Sequence, residues 1–412
     1  MPDSDQTAPP AQAEVTPLYG PRFRQDPARV YRELRHRHGP VAPIMLEGDV
    51  PAWIVLGYRE LRQVLGNVKL FSRDPRRWNA WDRIPSDWRL LPNVQHVPLF
   101  SEGEERQRHV QPIGEALAGI DQFELRAQCE TIADRLIDGF AGGGQAELMS
   151  QYAQAVPLLA LAKVSGLPDS ETPDLLRDMK ATMDSQGAME AGIRLGVMFQ
   201  RLLDSKREHP GPDLVSRMLA HPANLGDEEL IIDLGVVIIA AQQPTADWIG
   251  NTLRLMLTDD RFAVSLAGGR RSVGQALNEV LWEDTPSQNN AGRWAVQDTR
   301  LGGQQIAAGD LLVVSFAAAN NDPQVRPDPY AGSAGNQAQL SFSHGEHRCP
   351  YPAPELAEVI AKAAVEVLLD RLPDVRLAVP ADSLEWRDSF MLRGLTALPV
   401  TFTPAYVTGG AG

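Results

Sequence analysis

Cys349 stands next to last in the segment Leu340–Pro350, LSFSHGEHRCP, where Gly345 and a crowd of ionisable side chains precede a single thiol. From Ala353 onward, Leu356, Ile360, Val367 and Leu368 recur at helical spacing, so the thiol stands just ahead of a helix. Backbone N–H groups and the positive end of that helix favour a thiolate, and a thiolate is either a metal ligand or a nucleophile. The plain alternative for a lone cysteine is a small buried hydrophobe. Two features weigh against that alternative. His347 and Arg348 are cationic neighbours, and a long apolar helical pattern elsewhere is available to cap the other face of a cofactor. The second cysteine, Cys129, has no such setting. Two cysteines in 412 residues exclude a disulfide framework and point to a reducing compartment.

The elements that must carry this loop are mostly helices. Asp26-Pro27 opens one that runs to Gly39-Pro40, followed by a strand pair, VAPIMLE and PAWIVLG, around Gly48-Asp49. From Glu102 to about Leu257 the pattern stays helical, with breaks at Gly142–Gly144, Gly166–Pro168 and His209–Pro212. Its last stretch, Glu228 to Leu257, would span ~45 Å at 1.5 Å per residue and should cross the middle of the molecule, kinked at Pro244. Short strands follow Gly302-Gly303, and residues 317–348 then show almost no periodicity, which in a compact chain marks a functional segment. Residues 1–18 and 404–412 read as flexible tails, leaving 19–403 as one large domain.

Charge and composition narrow the function. A net charge of −14 is a poor match for a phosphate backbone, so nucleic acid is excluded as a partner. The N-terminus carries no signal-peptide pattern, and the longest apolar run, Gly235 to Ala241, is far short of the ~20 residues of a membrane span. A cytoplasmic protein without a membrane partner is the expectation.

The loop Phe342-Ser343-His344-Gly345-Glu346-His347-Arg348-Cys349 resembles the haem-binding loop of the cytochrome P450 monooxygenases, F-x-x-G-x-x-x-C. LFSRDPRRW (70–78), LGGQQIAAGDLLVVSFAAANNDP (301–323), DRLPDVRLAVP (370–380), WRDSFMLRGLTALPV (386–400) and Glu279 in its helix are similar to soluble actinobacterial members. The resemblance implies a mainly α (α+β) fold, one large helical domain with small β-sheets around a central haem b. It implies iron bound by the Cys349 thiolate, Phe342 and Gly345 shaping the loop, and His347 and Arg293 pairing with the haem propionates. Ala240 and Ala241 would lie over the haem. Electrons would come from a ferredoxin and its reductase, the acidic carrier approaching the side of Arg348.

Four departures from the family pattern stand out. The motif E-x-x-R is Glu279-Val280-Leu281-Trp282, as in a streptomycete subset of the family, and the segment RPDPYA at 326–331 is read as lacking the second arginine. Glu279 then needs another cation, a water or a proton. The acid–alcohol pair of the central helix is replaced by Ala240-Ala241-Gln242-Gln243-Pro244. Gln243 can hydrogen-bond but transfers no proton near neutral pH, and Pro244 has no donor. Gln243 and Thr245 remain the catalytic candidates, with Gln242 and Pro244 at the pocket. The helix after Glu102 has Glu105 and His109 where a His-x-x-x-Arg pair would meet a propionate, which leaves Arg106, Arg108 and His109 as candidates to compensate, with plain solvation the alternative for each. Tyr351 stands where glycine is usual. Trp78, Trp81 and Trp88 crowd the loop that roofs the pocket, positioned to stack on an aromatic ligand or to pack the loop down.

The resulting expectation is a haem-thiolate oxidoreductase of natural-product metabolism acting on a hydrophobic, aromatic small molecule, with cyclic dipeptides a candidate class. The missing relay favours oxidative C–C or C–N coupling, in which the substrate supplies the hydrogens, over ordinary ferredoxin-dependent hydroxylation. A haem-binding sensor that does not turn over is the rival from another class.

Overall fold

The computed structural model describes residues 15–84, 101–182, 187–259, 262, 273–327 and 335–404. Its helices are α1 (Gly20–Gln25), α2 (Pro27–His38), α3 (Tyr58–Gly66), α4 (Gly103–Ala118), α5 (Gln122–Asp138) and α6 (Ala155–Ser165). They continue as α7 (Thr172–Ala181), α8 (Ala188–Glu208), α9 (Leu214–Leu219), α10 (Asp227–Thr258), α11 (Val273–Glu283), α12 (Phe316–Asn320) and α13 (Ala353–Arg371). Local chemistry sets many ends. The Asp26 side chain accepts the Arg29 N–H at 2.8 Å to start α2, and Asp121 accepts two N–H groups at the start of α5.

The strands are β1 (Thr16–Pro17), β2 (Val41–Leu46), β3 (Val50–Val55), β4 (Phe71–Ser72), β5 (Gln145–Glu147) and β6 (Asn289–Ala295). β7 (Thr299–Leu301), β8 (Gln304–Ile306), β9 (Leu311–Ser315), β10 (Arg376–Leu377) and β11 (Pro399–Thr401) complete them. One sheet runs in the order β1-β2-β3-β9-β6-β4, a second as β10-β11-β5, and β7 pairs with β8. β6 faces β9 antiparallel with a register shift between Asn290 and Arg293. The N-terminal tail expected through residue 18 is shorter. Thr16 pairs opposite Ile44 and Leu18 is buried, so strand pairing and burial outweigh the tail-like composition there.

The main core lies among the helices, with Cys129 inside it, and a second core lies between the sheet and α2. α10 is the one helix among the described residues long and apolar enough to cross a membrane by length and composition. Half of that apolar window is buried, and the helix packs against α6, α8, α11 and α13. It is the axis of the fold, and it continues unbroken through Pro244.

Candidate functional site

The thiol loop is built as a sequence of tight turns between α12 and α13. The Ser343 N–H donates to Leu340 O at 2.8 Å, and the Cys349 N–H donates back to Phe342 O at 3.0 Å. Gly345 has φ +75°, and a Cβ there would stand 2.4 Å from the carbonyl oxygen of Leu65 at the end of α3. Only glycine lets the loop come that close. Phe342 packs edge-on to Trp248 of α10, centroids 5.8 Å apart, and the Trp248 indole donates to Leu277 O at 2.9 Å. Phe342 and Gly345 therefore fix the loop to the central helix and to α3. Tyr351 points outward, 65% exposed, so the position usually held by glycine needs no small residue here.

The thiol itself corrects one expectation. Burial, and then the Glu355 carboxylate in the first turn of α13, push Cys349 up to about 12. The helix end alone does not ionise it, so a thiolate there requires a cation brought by a ligand. Among the described residues no group of three His, Cys, Asp or Glu side chains could hold a metal. A metal on Cys349 would have to bring its remaining ligands with it, as a porphyrin does.

Beside the loop lies a cluster of buried cations. Arg293 from β6, Arg73 after β4, Arg106 from the first turn of α4 and His347 from the loop converge there, with the three arginines at 2%, 7% and 4% exposure. Arg106 donates to Glu346 O at 3.1 Å and Arg73 to Asn290 Oδ1 at 2.9 Å, whereas Arg293 Nε and both ring nitrogens of His347 have no partner. Burial depresses all four cations. Mutual repulsion adds to it, pushing Arg73 down to about 9, Arg293 well below its usual range and His347 down to about 2. Glu102 and Glu346 offset only part of this on Arg293. The unpartnered Arg293 Nε and His347 ring nitrogens, beside two further buried guanidiniums, suit a pair of carboxylates. One thiol and this cluster together fit haem b, with iron on Cys349 and the propionates among Arg73, Arg106, Arg293 and His347.

Sequence reasoning named Arg293 and His347, weighed Arg106, and gave Arg73 no role. It also assigned Arg108 and His109 to the cofactor, and the structure places both elsewhere. Arg108 pairs with Glu229 of α10, and His109 Nδ1 lies 2.9 Å from Asp233 Oδ2 on the same helix. On α4, Arg108 lies on the side opposite Arg106, and His109, only about 60° round the helix from Arg106, meets α10 because Asp233 is its neighbour there.

On α10, Ile239 is 56% exposed and Ala240 is exposed although they sit mid-helix, with Ala241 and Pro244 half-buried. This open stripe is where the sequence expects the cofactor's upper face. Gln242 is turned aside, donating to Gln154 O at 3.1 Å, rather than offering its amide to a pocket. Gln243 is buried and donates to Asp247 Oδ1 at 3.0 Å, and Asp247 in turn pairs with Arg387. Gly394 makes room for this acid, since a Cβ there would stand 2.1 Å from Asp247 Oδ1. Thr245 is buried.

Two other expectations are corrected. Glu279 has its cation: Arg326 Nη2 bonds Glu279 Oε1 and also Glu283 Oε1, the latter at 2.9 Å. The residue opening the segment thought to lack an arginine is that arginine. Trp282 uses its one donor on Asn336 O at 2.9 Å, an oxygen that Asn278 also reaches at 3.0 Å. The tryptophans pack the loop down. Trp78 is 5% exposed, with ring centroids 5.0 Å from Trp81 and 6.1 Å from Trp294 of β6, and Trp81 donates to Pro75 O. Trp88 lies outside the described residues.

No family model matches the chain. It is 30% identical over 396 residues to the cytochrome P450 monooxygenase PikC of Streptomyces venezuelae, covering 92% of each chain. It is 29% identical over 399 residues to biflaviolin synthase CYP158A1 of Streptomyces coelicolor, covering 93% of this chain and 94% of that one. Among solved structures, testosterone-bound CYP154C4 from a Streptomyces species superposes with a TM-score of 0.83 at 26% identity, over 95% of this chain and 98% of that one. CxnD, a P450 for C–S bond formation in chuangxinmycin biosynthesis, gives 0.81 at 26% identity over 96% and 100%.

Proposed function

Because the chain belongs to the cytochrome P450 family, and is a haem b monooxygenase with relatives in natural-product biosynthesis, we propose that it oxidises a hydrophobic aromatic small molecule, favouring C–C or C–N coupling over hydroxylation. Bound at Cys349, the haem supplies one-electron and oxygen chemistry. The residues around it hold the group and shape what reaches it. Arg73, Arg106, Arg293 and His347 anchor its carboxylates, Phe342 and Gly345 set the height of the thiol, and the Ile239–Ala240 stripe gives substrate an apolar wall.

The observation that carries the coupling reading is the state of residues 240–244. Gln242 and Gln243 are each tied to a neighbour, and Pro244 has no donor, so this window offers no acid. Reactions in which the substrate gives up its own hydrogens fit such a site. Relatives named for biflaviolin synthesis and C–S bond formation support the chemistry class, and a cyclic dipeptide with aromatic side chains is the substrate class to try first. Electrons come from a ferredoxin and reductase, in the cytoplasm. The non-catalytic sensor loses one of its two supports, since Glu279 keeps a cation in Arg326.

One observation favours hydroxylation as the second reading. Asp247, an acid held up by burial, touches Gln243 one helical turn away, and Arg387 on its other side is partly open to solvent. The test is a titration of aromatic cyclic dipeptides into the ferric protein, read as a spin-state change, followed by product analysis with ferredoxin and reductase. Coupled dimers or new rings support the proposal. Hydroxylated products alone overturn it.

A further inference from the structure

Asp247 lies one turn beyond Gln243 on α10, 0% exposed, with both of its oxygens engaged. Oδ1 accepts from Gln243 Nε2 at 3.0 Å, and Oδ2 pairs with Arg387, the one charged group that acts on it among the described residues. Burial works to protonate the acid, while Arg387 and the Gln243 amide work to keep it ionised. Its seat is well fixed. The Arg387 N–H donates to Gly394 O at 2.9 Å, and Trp386 bridges Leu395. Asn251 Nδ2, one turn further along α10, donates to Arg393 O at 2.8 Å. The segment 386–395 is thereby strapped to the central helix at the point where Asp247 stands.

This seat decides which end of the Gln243 amide is free. An ionised carboxylate only accepts, so the amide meets it nitrogen-first, and the two ends of a planar amide point apart. Gln243 Oε1 is therefore turned away from Asp247. Among the described residues no donor reaches this oxygen, yet it is not sealed. Asn251 Oδ1 is closed off without a partner, whereas Gln243 Oε1 opens on accessible space, its side chain belonging to a residue 7% exposed. Gln243 follows Ile239 by four residues, ~6 Å along the axis and about 40° round it, and Ala240 by three, ~4.5 Å and about 60°. Ile239 is 56% exposed and Ala240 is exposed, so an unused acceptor stands at the edge of an open apolar stripe.

We propose that Asp247 is a positioning residue for the ligand site: it holds the amide so that Gln243 Oε1 presents a hydrogen-bond acceptor beside the Ile239–Ala240 stripe, and the site selects aromatic molecules that carry an N–H or O–H donor on the ring lying there. This deepens the reading above and rests on it for where the ligand lies. The substrate is then not only aromatic and hydrophobic but has a polar handle on the ring itself. A ligand without the donor leaves a mostly buried oxygen unpaired, which is how a site built around a hydrogen bond rejects the analogue that lacks it.

The experiment uses the haem-loaded full chain and two probes, indole and 1-methylindole, titrated by the ferric spin-state change. An indole ring over Ala240 is large enough to bring its N–H to the amide three residues on. The wild type binds indole roughly three- to tenfold more tightly, as expected for one neutral hydrogen bond. In Gln243→Leu the ratio falls to within about twofold of unity. The positioning role is read from Gly394→Ala, which leaves Gln243, Asp247 and Arg387 in place: a Cβ there would stand 2.1 Å from Asp247 Oδ1, so the carboxylate is pushed off the amide. The ratio falls as in Gln243→Leu, while affinity for 1-methylindole stays within about twofold of the wild type. Asp247→Leu/Arg387→Leu, which removes both partners and strands no charge, gives the same loss and decides the matter where Gly394→Ala does not retain haem. A wild type that binds both probes equally or neither overturns the proposal, as does a preference for indole that survives in Gln243→Leu or in the positioning variants. Equal weakening of both probes in those variants marks a merely structural role and overturns it too. A thiolate-type CO spectrum is recorded for every protein. Its absence in the wild type would sink the haem-thiolate reading itself, whereas a normal spectrum with equal probe binding sinks only the roles of Gln243 and Asp247.

Discussion

Two buried charge clusters in this fold are built on opposite principles. Glu279 and Glu283 of α11 share Arg326, acids and base within hydrogen-bond distance, and the indole of Trp282 adds a tie to Asn336. Arg73, Arg106, Arg293 and His347 instead face one another, each depressed by burial and most by their neighbours, with Arg293 Nε and both His347 nitrogens unpartnered. The first arrangement is complete within the chain, as a fold-holding pair must be. The second carries more positive charge than Glu102 and Glu346 offset, and so suits an anion from outside the chain. Charge balance thus separates a structural cluster from a binding one, although both are buried arginines near the same loop.

The strongest way to break this contrast is to remove what the binding cluster serves. Cys349→Ala should abolish the thiolate-type CO-difference spectrum and most haem retention, while Cys129→Ala, in the helical core, leaves the spectrum unchanged. A normal spectrum from Cys349→Ala would remove the iron from this loop and leave the cation cluster without its ligand.

Next in size is Glu279→Ala. Reading the sequence alone, with both arginines taken as missing, this substitution would be mild. The structure reverses that expectation: Arg326 would lose one of its two carboxylates inside a buried pair, and breaking such a pair costs about 3–5 kcal/mol. Chemical denaturation of the holoprotein measures it. A loss under about 1 kcal/mol would show that Glu283 suffices alone.

Arg293→Leu sharpens the comparison from the other side, with opposite signs for two states of one protein. Removing a buried, mutually repelled guanidinium should leave the haem-free protein as stable or more so, by up to about 1–4 kcal/mol, while the holoprotein loses haem faster to an acceptor. Destabilisation of both states alike would place Arg293 with Arg326 as a structural residue.

These outcomes also mark what could be read from the residues in order. The start of α2 at Asp26-Pro27, the length of α10 and the glycine-bearing thiol loop all follow from local rules, namely capping, 3.6-residue spacing and turn chemistry, and all were legible. Arg293 and His347 came from a motif resemblance. Arg106 entered only as one of three substitutes and Arg73 not at all, because what places them, a bond to Asn290 at the irregularity of β6 and the approach of α4 to residue 346, leaves no trace in nearby sequence. The Arg326 pairing was missed for the same reason: it joins residues 47 apart through a segment without periodicity. His109 was misassigned because spacing fixes which face of α4 it shares, not which neighbour that face meets.

The smallest expected effect bears on chemistry rather than stability. In Gln243→Glu/Pro244→Thr, the new glutamate would stand where Gln243 now donates to Asp247 Oδ1 at 3.0 Å, with Arg387 the cation for both acids. Burial already holds Asp247 above the usual carboxylate range, and a second buried carboxylate beside it makes the pair bind a proton more readily still. The threonine returns a hydroxyl and the backbone N–H that proline lacks, closing the helix bond to Ala240 O. The window 240–244 would then contain an acid and an alcohol beside the open stripe. If coupling is the native reaction, the variant should retain haem and substrate affinity, and part of its coupled product should be replaced by hydroxylated product, resolved by mass spectrometry. If hydroxylation is native and limited by proton supply, total turnover should instead rise, toward the roughly 10²–10⁴-fold that a positioned acid contributes. A changed product ratio at nearly constant rate is the expected result, and a large rise in rate with one unchanged hydroxylated product would transfer the assignment to the second reading.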